Sequence, residues 1–182
     1  VYHYLSIRFA QVYLTTIADG CFIVGDGLLP LVSKKCPSVH VGYASWISKK
    51  DIEKQRVSPV RVVNESWGFS ICIAARLERM KGVDLGIMAL SELRRRQNRA
   101  EVRLRILGSG AELDNLQELV EELDMSACVD FDGTFGYPEP FLSELSKSHI
   151  FVISNLNDEQ PRVLFDAICA GCLPIYPSSA AF

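Results

Sequence analysis

The chain has 182 residues, 48% hydrophobic and 23% charged, with a slightly positive mean hydropathy. That composition suits one or two globular domains with a substantial core and excludes a disordered segment. A formal net charge of −3 argues against broad binding to nucleic acid or anionic membranes, and no run of about 18 apolar residues suggests a transmembrane helix. The chain has no initiator Met and no signal-peptide pattern. Val1-Tyr2-His3-Tyr4 reads like the middle of something, so a sequence cut short at both ends is expected. The cysteines (Cys21, Cys36, Cys72, Cys128, Cys169 and Cys172) sit mostly in apolar runs, as small core residues do. They fit a reducing, cytoplasmic compartment better than a disulfide scaffold.

Residues 5–17 read as a helix, broken by Ala18-Asp19-Gly20, and residues 21–24 are strand-like. Residues 28–32 can begin a helix and 39–41 another strand. Residues 49–58 are polar and precede Pro59, which reads as a linker or surface segment. From about position 67 the pattern becomes regular. Strands are expected at 69–75, 102–107, 128–131, 150–153 and from 173, with helices at 82–95, 113–123, 141–145 and 163–170 between them. Such alternation means repeated βαβ units and a doubly wound, Rossmann-like parallel sheet of the α/β class. The cluster Arg94, Arg95, Arg96 and Arg99 closes one of these helices. It reads as a solvated helix end that suits the dipole, or as a surface for peripheral membrane association or a phosphate-rich partner.

In a doubly wound sheet, ligands sit beyond the carboxyl ends of the strands, so chemistry is sought just after each one. After the first regular strand come Arg76 and Lys81, a fork and a point charge suited to a diphosphate, or two surface cations beside Glu78. After the second comes Gly108-Ser109-Gly110, which lacks full dinucleotide-loop spacing because position 113 is Leu113. It suits a tight turn first and close backbone approach to a ligand second. After the fourth comes Asp158-Glu159-Gln160-Pro161-Arg162, opening a helix with Pro161 at its first position and Asp166 one to two turns in. Asp158 and Asp166, on either side of an anion site at the helix start, suit hydroxyl binding; alternatively Asp158 and Glu159 suit a helix cap and the dipole. Cys169-Ala170-Gly171-Cys172 ends a helix instead of starting one, which removes the feature that activates redox thiols. No cysteine and histidine spacing suggests a metal site.

Taken in order, these residues resemble the retaining glycosyltransferases of the GT-B fold, family 4 (glycosyl transferases group 1). That family's second domain opens with a strand and G-R-L-x-x-x-K-G, standing here as Ala75-Arg76-Leu77-Glu78-Arg79-Met80-Lys81-Gly82. Its G-x-G turn is matched by Gly108-Ser109-Gly110, and its F-x-G signature by Phe131-Asp132-Gly133. Its E-G-F-P-x-V-L-L-E stands as Asp158-Glu159-Gln160-Pro161-Arg162-Val163-Leu164-Phe165-Asp166, followed by Ala170-Gly171-Cys172-Leu173-Pro174. Upstream, Ala18-Asp19-Gly20-Cys21-Phe22-Ile23-Val24 looks like a segment near the end of the first domain.

The resemblance implies that residues 1–66 are the tail of an acceptor-side domain with its linker. Residues 67–182 would be a nucleotide-sugar donor domain, truncated at its C-terminal end. It implies a hexosyltransferase that moves a sugar from a nucleoside-diphosphate sugar to an acceptor hydroxyl with retention, using no metal or other cofactor. The acceptor, a glycan, lipid or small molecule, is left open. Arg76 and Lys81 would bind the diphosphate and stabilise the leaving group. Asp166 would hold the ribose, Asp158 would face the donor sugar, and Gly133 and Thr134 would border the base. Gly108, Glu159, Gln160, Arg162 and Val163 would complete the donor site. The family has Glu at both ends of the acidic motif where this chain has Asp158 and Asp166, which shortens each reach by ~1.5 Å. Glu159-Gln160 replaces Gly-Phe, and the first domain's glycine-rich loop and histidine are absent, so the chain alone is expected to be inactive. These departures also motivate a second reading, a non-catalytic binding or scaffold module.

Overall fold

The computed structural model describes residues 9–10, 13–25, 27–43, 45–56, 68–97, 102–156 and 161–177. These fall into two compact units that divide between Tyr43 and Ser45.

In the first unit, Cys21–Val24 (β1) and Val39–Gly42 (β2) pair in parallel, in register from Cys21 opposite Val39 to Val24 opposite Gly42. The connection carries one helical turn, Leu29–Val32 (α1), with Pro30 at its start, where a missing N–H costs nothing. Ile23, Val32 and Cys36 form its small core, with Leu28, Leu29 and Val39 packed against them. Side chains alternate along a strand, so Phe22 and Val24 emerge on the opposite face, where both are exposed.

The second unit opens with a helix, Lys49–Arg56 (α2), where the sequence reads as a polar linker. Its cause is a capping box. The Ser48 hydroxyl accepts from Asp51 N (3.2 Å), and the Asp51 carboxylate accepts from Ser48 N (2.9 Å). A five-stranded parallel sheet follows: Ser70–Ala74 (β3), Arg103–Leu107 (β4), Val129–Gly133 (β5), Ile150–Val152 (β6) and Leu173–Ile175 (β7). Its spatial order is β5-β4-β3-β6-β7. The chain therefore builds outward from β3 on one side, then returns to lay β6 on the other. The crossovers carry Val83–Gln97 (α3), Leu113–Glu122 (α4), Glu139–Leu145 (α5) and Val163–Cys169 (α6).

The alternation in each strand divides the core. Ile73, Leu104 and Ile106 face α3 and α4, joining Val83, Ile87, Leu90, Leu116 and Val120 in one cluster. The intervening basic residues of β4 are both ion-paired, Arg103 at the surface and Arg105 largely enclosed. Arg103 pairs with Asp130 on β5 (2.9 Å), and Arg105 lies 2.6 Å from Asp132 and 2.7 Å from Glu144 on α5. At the far end of α3, Glu92 accepts from both Arg95 (2.8 Å) and Arg96 (2.5 Å), so two cations of the basic cluster are met on their own helix.

Among the described residues all the cysteines are free. Cys72, Cys128 and Cys172 are buried, and burial, with Cys172 nearby, pushes the Cys72 thiol up to about 12. Alkylation of the native protein should label the half-buried Cys21 and Cys169 first, and Cys72 and Cys172 only on unfolding. Peptide mass mapping over time checks this order, and rapid native labelling of Cys72 would contradict the packing.

Candidate functional site

The sheet order reverses between β3 and β6, and a cleft beyond their carboxyl ends is where open α/β sheets take ligands. The turns there hold one another through backbone groups. After β3, Leu77 N donates to Ser109 O (2.9 Å) and Leu77 O accepts from Glu112 N (3.0 Å), tying it to the turn after β4. That turn is tied to the next, because Gly108 N donates to Gly133 O (2.7 Å). Across the reversal, Leu156 N donates to Met80 O (3.0 Å) and the Ser154 hydroxyl donates to Lys81 O (3.2 Å).

Three glycines permit this closeness. A Cβ on Gly108 (φ 145°) would stand 1.9 Å from Ala75 O, on Gly82 (φ 61°) 2.2 Å from Ser154 O, and on Gly110 2.3 Å from Leu77 O. Packing between turns thus accounts for Gly108-Ser109-Gly110. Gly133 differs: its φ is 73°, but no described atom lies within 4 Å of a Cβ placed there, so the space beside it is open.

The two cations after β3 have different settings. Arg76 is exposed, and its guanidinium pairs with Glu78 at 2.6 Å. Lys81 ends a single 3-10 turn, Arg79–Lys81, capped by Gly82 in the left-handed region, and is 91% buried. A lysine held this way keeps its stem packed in the protein and carries its charge at the polar end of that stem.

Beyond β6, Asp158, Glu159 and Gln160 lie outside the described residues. Arg162 caps α6, so the helix starts at Val163 and Pro161 stands two residues before it, not at its first position. Asp166 falls in the first turn and is buried, with 8% of its surface exposed. Burial raises its pKa, and the Tyr137 hydroxyl, 3.3 Å from Oδ1, and the Arg162 charge counter that. Tyr137 belongs to the segment between β5 and α5, beyond Gly133 and the exposed Thr134. Its ring meets Trp46 edge to face (centroids 5.9 Å apart) and Phe141 at a tilt (6.3 Å). The Arg162 guanidinium stacks 3.8 Å above the Trp46 ring.

So the structure sets Lys81 and Arg76 on a turn locked to the loop after β6, and Asp166 on the helix that follows. It places Gly108 and Gly133 on adjoining turns. Tyr137 and Trp46 complete the surroundings of Asp166 and Arg162, and the sequence reading missed both. For Tyr137 the available signal was the set of aromatic residues Phe135, Tyr137 and Phe141 that follows the F-x-G turn. Cys172 is directed inward, its thiol within hydrogen-bonding reach of Leu145 O (3.3 Å) and Ser148 O (3.4 Å). Among the described residues no three His, Cys, Asp or Glu side chains group as a metal site, and no helix is long and apolar enough to cross a membrane.

Residues 64–178 match the family model described as glycosyl transferases group 1. The chain belongs to that family. No curated protein matches it. Among solved structures it is similar to Anabaena HepE in complex with UDP, with 16% identity and a TM-score of 0.69, over 93% of this chain and 48% of that one. It is also similar to the pneumococcal O-GlcNAc transferase GtfA in complex with UDP and GlcNAc (18%, 0.66, over 91% and 32%). A third is WaaG, a glycosyltransferase involved in lipopolysaccharide biosynthesis (16%, 0.62, over 88% and 44%). The chain thus spans half the length of these proteins or less. At such identities the likeness establishes the fold, which is that of GT-B glycosyltransferases: a Rossmann-like parallel sheet flanked by helices.

Proposed function

We propose that this chain carries the donor-binding site of a retaining glycosyltransferase, which moves a sugar from a nucleoside diphosphate to an acceptor hydroxyl. The observation that carries the reading is the lock across the strand reversal. Ser154 and Leu156 hold the turn bearing Lys81 against the loop after β6, and α6, which follows that loop, presents the buried Asp166.

A cation on a fixed turn costs little to organise when a diphosphate arrives. Its charge then acts on the bridging oxygens as negative charge grows on the leaving group. In this reading Lys81, Arg76 and Arg162 balance the diphosphate without a resident metal. Asp166 accepts from ribose hydroxyls. The open space beside Gly133 and Thr134 borders the base, and Gly108 supplies backbone close by. Asp158, Glu159, Gln160 and Val163 complete the donor side, with Asp158 facing the sugar. The UDP in the HepE and GtfA structures supports a nucleoside diphosphate as the ligand class.

Titration calorimetry of the whole chain with UDP, ADP and GDP tests this. At least one should bind with a Kd between micromolar and millimolar. A folded chain that binds none of them, and none of their hexose conjugates, would overturn the reading.

A further inference from the structure

Asp166 presents a difficulty that its surroundings answer. Its carboxylate is one methylene shorter than the glutamate of the family pattern, and only 8% of the residue is exposed. A carboxylate so placed reaches less far toward a ribose than that glutamate would, and can meet fewer of its hydroxyls directly. Beside it stands the Tyr137 hydroxyl, 3.3 Å from Oδ1, on a residue that is itself 42% exposed. Trp46 and Phe141 pack against the ring and keep it beside Asp166.

We propose that Tyr137 is a further donor-binding residue, its hydroxyl bridging the Asp166 carboxylate to a ribose hydroxyl of the bound nucleotide. The proposal rests on the donor-site reading above. A phenol has one proton and two lone pairs. With the proton given to Asp166, a lone pair is left to accept a ribose O–H, which extends the acidic site outward by one residue. The phenol pKa is pushed up to about 12 by burial and then by the Asp166 charge, so Tyr137 keeps its proton throughout the working range. The 3.3 Å spacing exceeds the about 2.7–2.8 Å that two oxygens prefer, so the hydroxyl is not tightly committed to the carboxylate and can tilt toward a second partner.

The test compares UDP with 2′,3′-dideoxy-UDP, by calorimetry on the whole chain, for the wild type, Tyr137→Phe and Asp166→Asn. Thermal melts confirm that each variant is folded. The wild type should prefer the ribonucleotide. In Tyr137→Phe that preference should fall about three- to tenfold, chiefly through weaker UDP binding, because one neutral hydrogen bond is lost. Asp166→Asn should reduce it too, and adding Tyr137→Phe to Asp166→Asn should lower it little further. A residue that only supports the fold would weaken both nucleotides alike. An unchanged preference in a folded Tyr137→Phe chain overturns this inference and leaves the donor site standing. A wild type that binds neither nucleotide overturns both.

Discussion

Lys81→Met should weaken nucleoside diphosphate binding by roughly ten- to hundredfold while leaving the melting temperature nearly unchanged. The magnitude is that of one charge-assisted hydrogen bond in a water-poor setting, ~1.5–3 kcal/mol. Methionine is the informative replacement, because Lys81 is 91% buried and truncation to alanine would also open a void around its stem. Arg76→Ala should do less. Its guanidinium is exposed and already paired with Glu78, so its bond to a phosphate would replace one that exists. Calorimetry on both variants with the best-binding nucleotide separates them. If Lys81→Met binds as tightly as the wild type, the diphosphate does not sit over the turn after β3.

Gly108→Ala should destabilise the fold by about 3 kcal/mol or more, because it combines an unfavourable backbone region with a direct collision. At φ 145° any side chain is strained, and the new carbon would lie 1.9 Å from Ala75 O. Relief would require parting the turns after β3 and β4, with loss of the bonds between Leu77 and Ser109 and between Gly108 and Gly133. Gly133→Ala is the control. It has a positive φ of 73° but no described atom near the added carbon, so it should cost only about 1 kcal/mol. Urea unfolding of the two variants measures the gap. Equal destabilisation would mean that backbone conformation, not contact between the turns, explains Gly108.

The sheet is legible in the sequence because most of its strands read as short apolar runs, with helices of regular length between them. Of the positions proposed for the donor side, Gly133 ends β5, and Arg76, Lys81 and Gly108 stand within seven residues of a strand's carboxyl end, where the sequence pattern directs the search. Other features depend on partners far away in the chain. Arg105 looks like a solvated alternation partner, yet it is claimed by Asp132 and Glu144, which periodicity cannot pair with it. The helix Lys49–Arg56 escapes a reading based on apolar spacing because Ile52 is the only apolar residue in it. Its true signal is local, the Ser48 and Asp51 box. Pro161 invites placement at the first helical position by propensity alone, and the helix starts two residues later, at Val163. The enclosure of Asp166 by Tyr137, with Trp46 behind it, is a tertiary event that no local rule contains.

The backbone ties between the turns limit how such a site can change. Loops ordinarily tolerate insertion and deletion because their backbone groups face water. Here the turns after β3, β4 and β6 bond to one another or to the end of β5, so adding a residue to one would unseat its neighbour as well. Length is therefore close to frozen along this rim. What the site accepts can vary mainly through side-chain identity, at positions such as Tyr137, Arg162 and Asp166, on a frame that holds its shape.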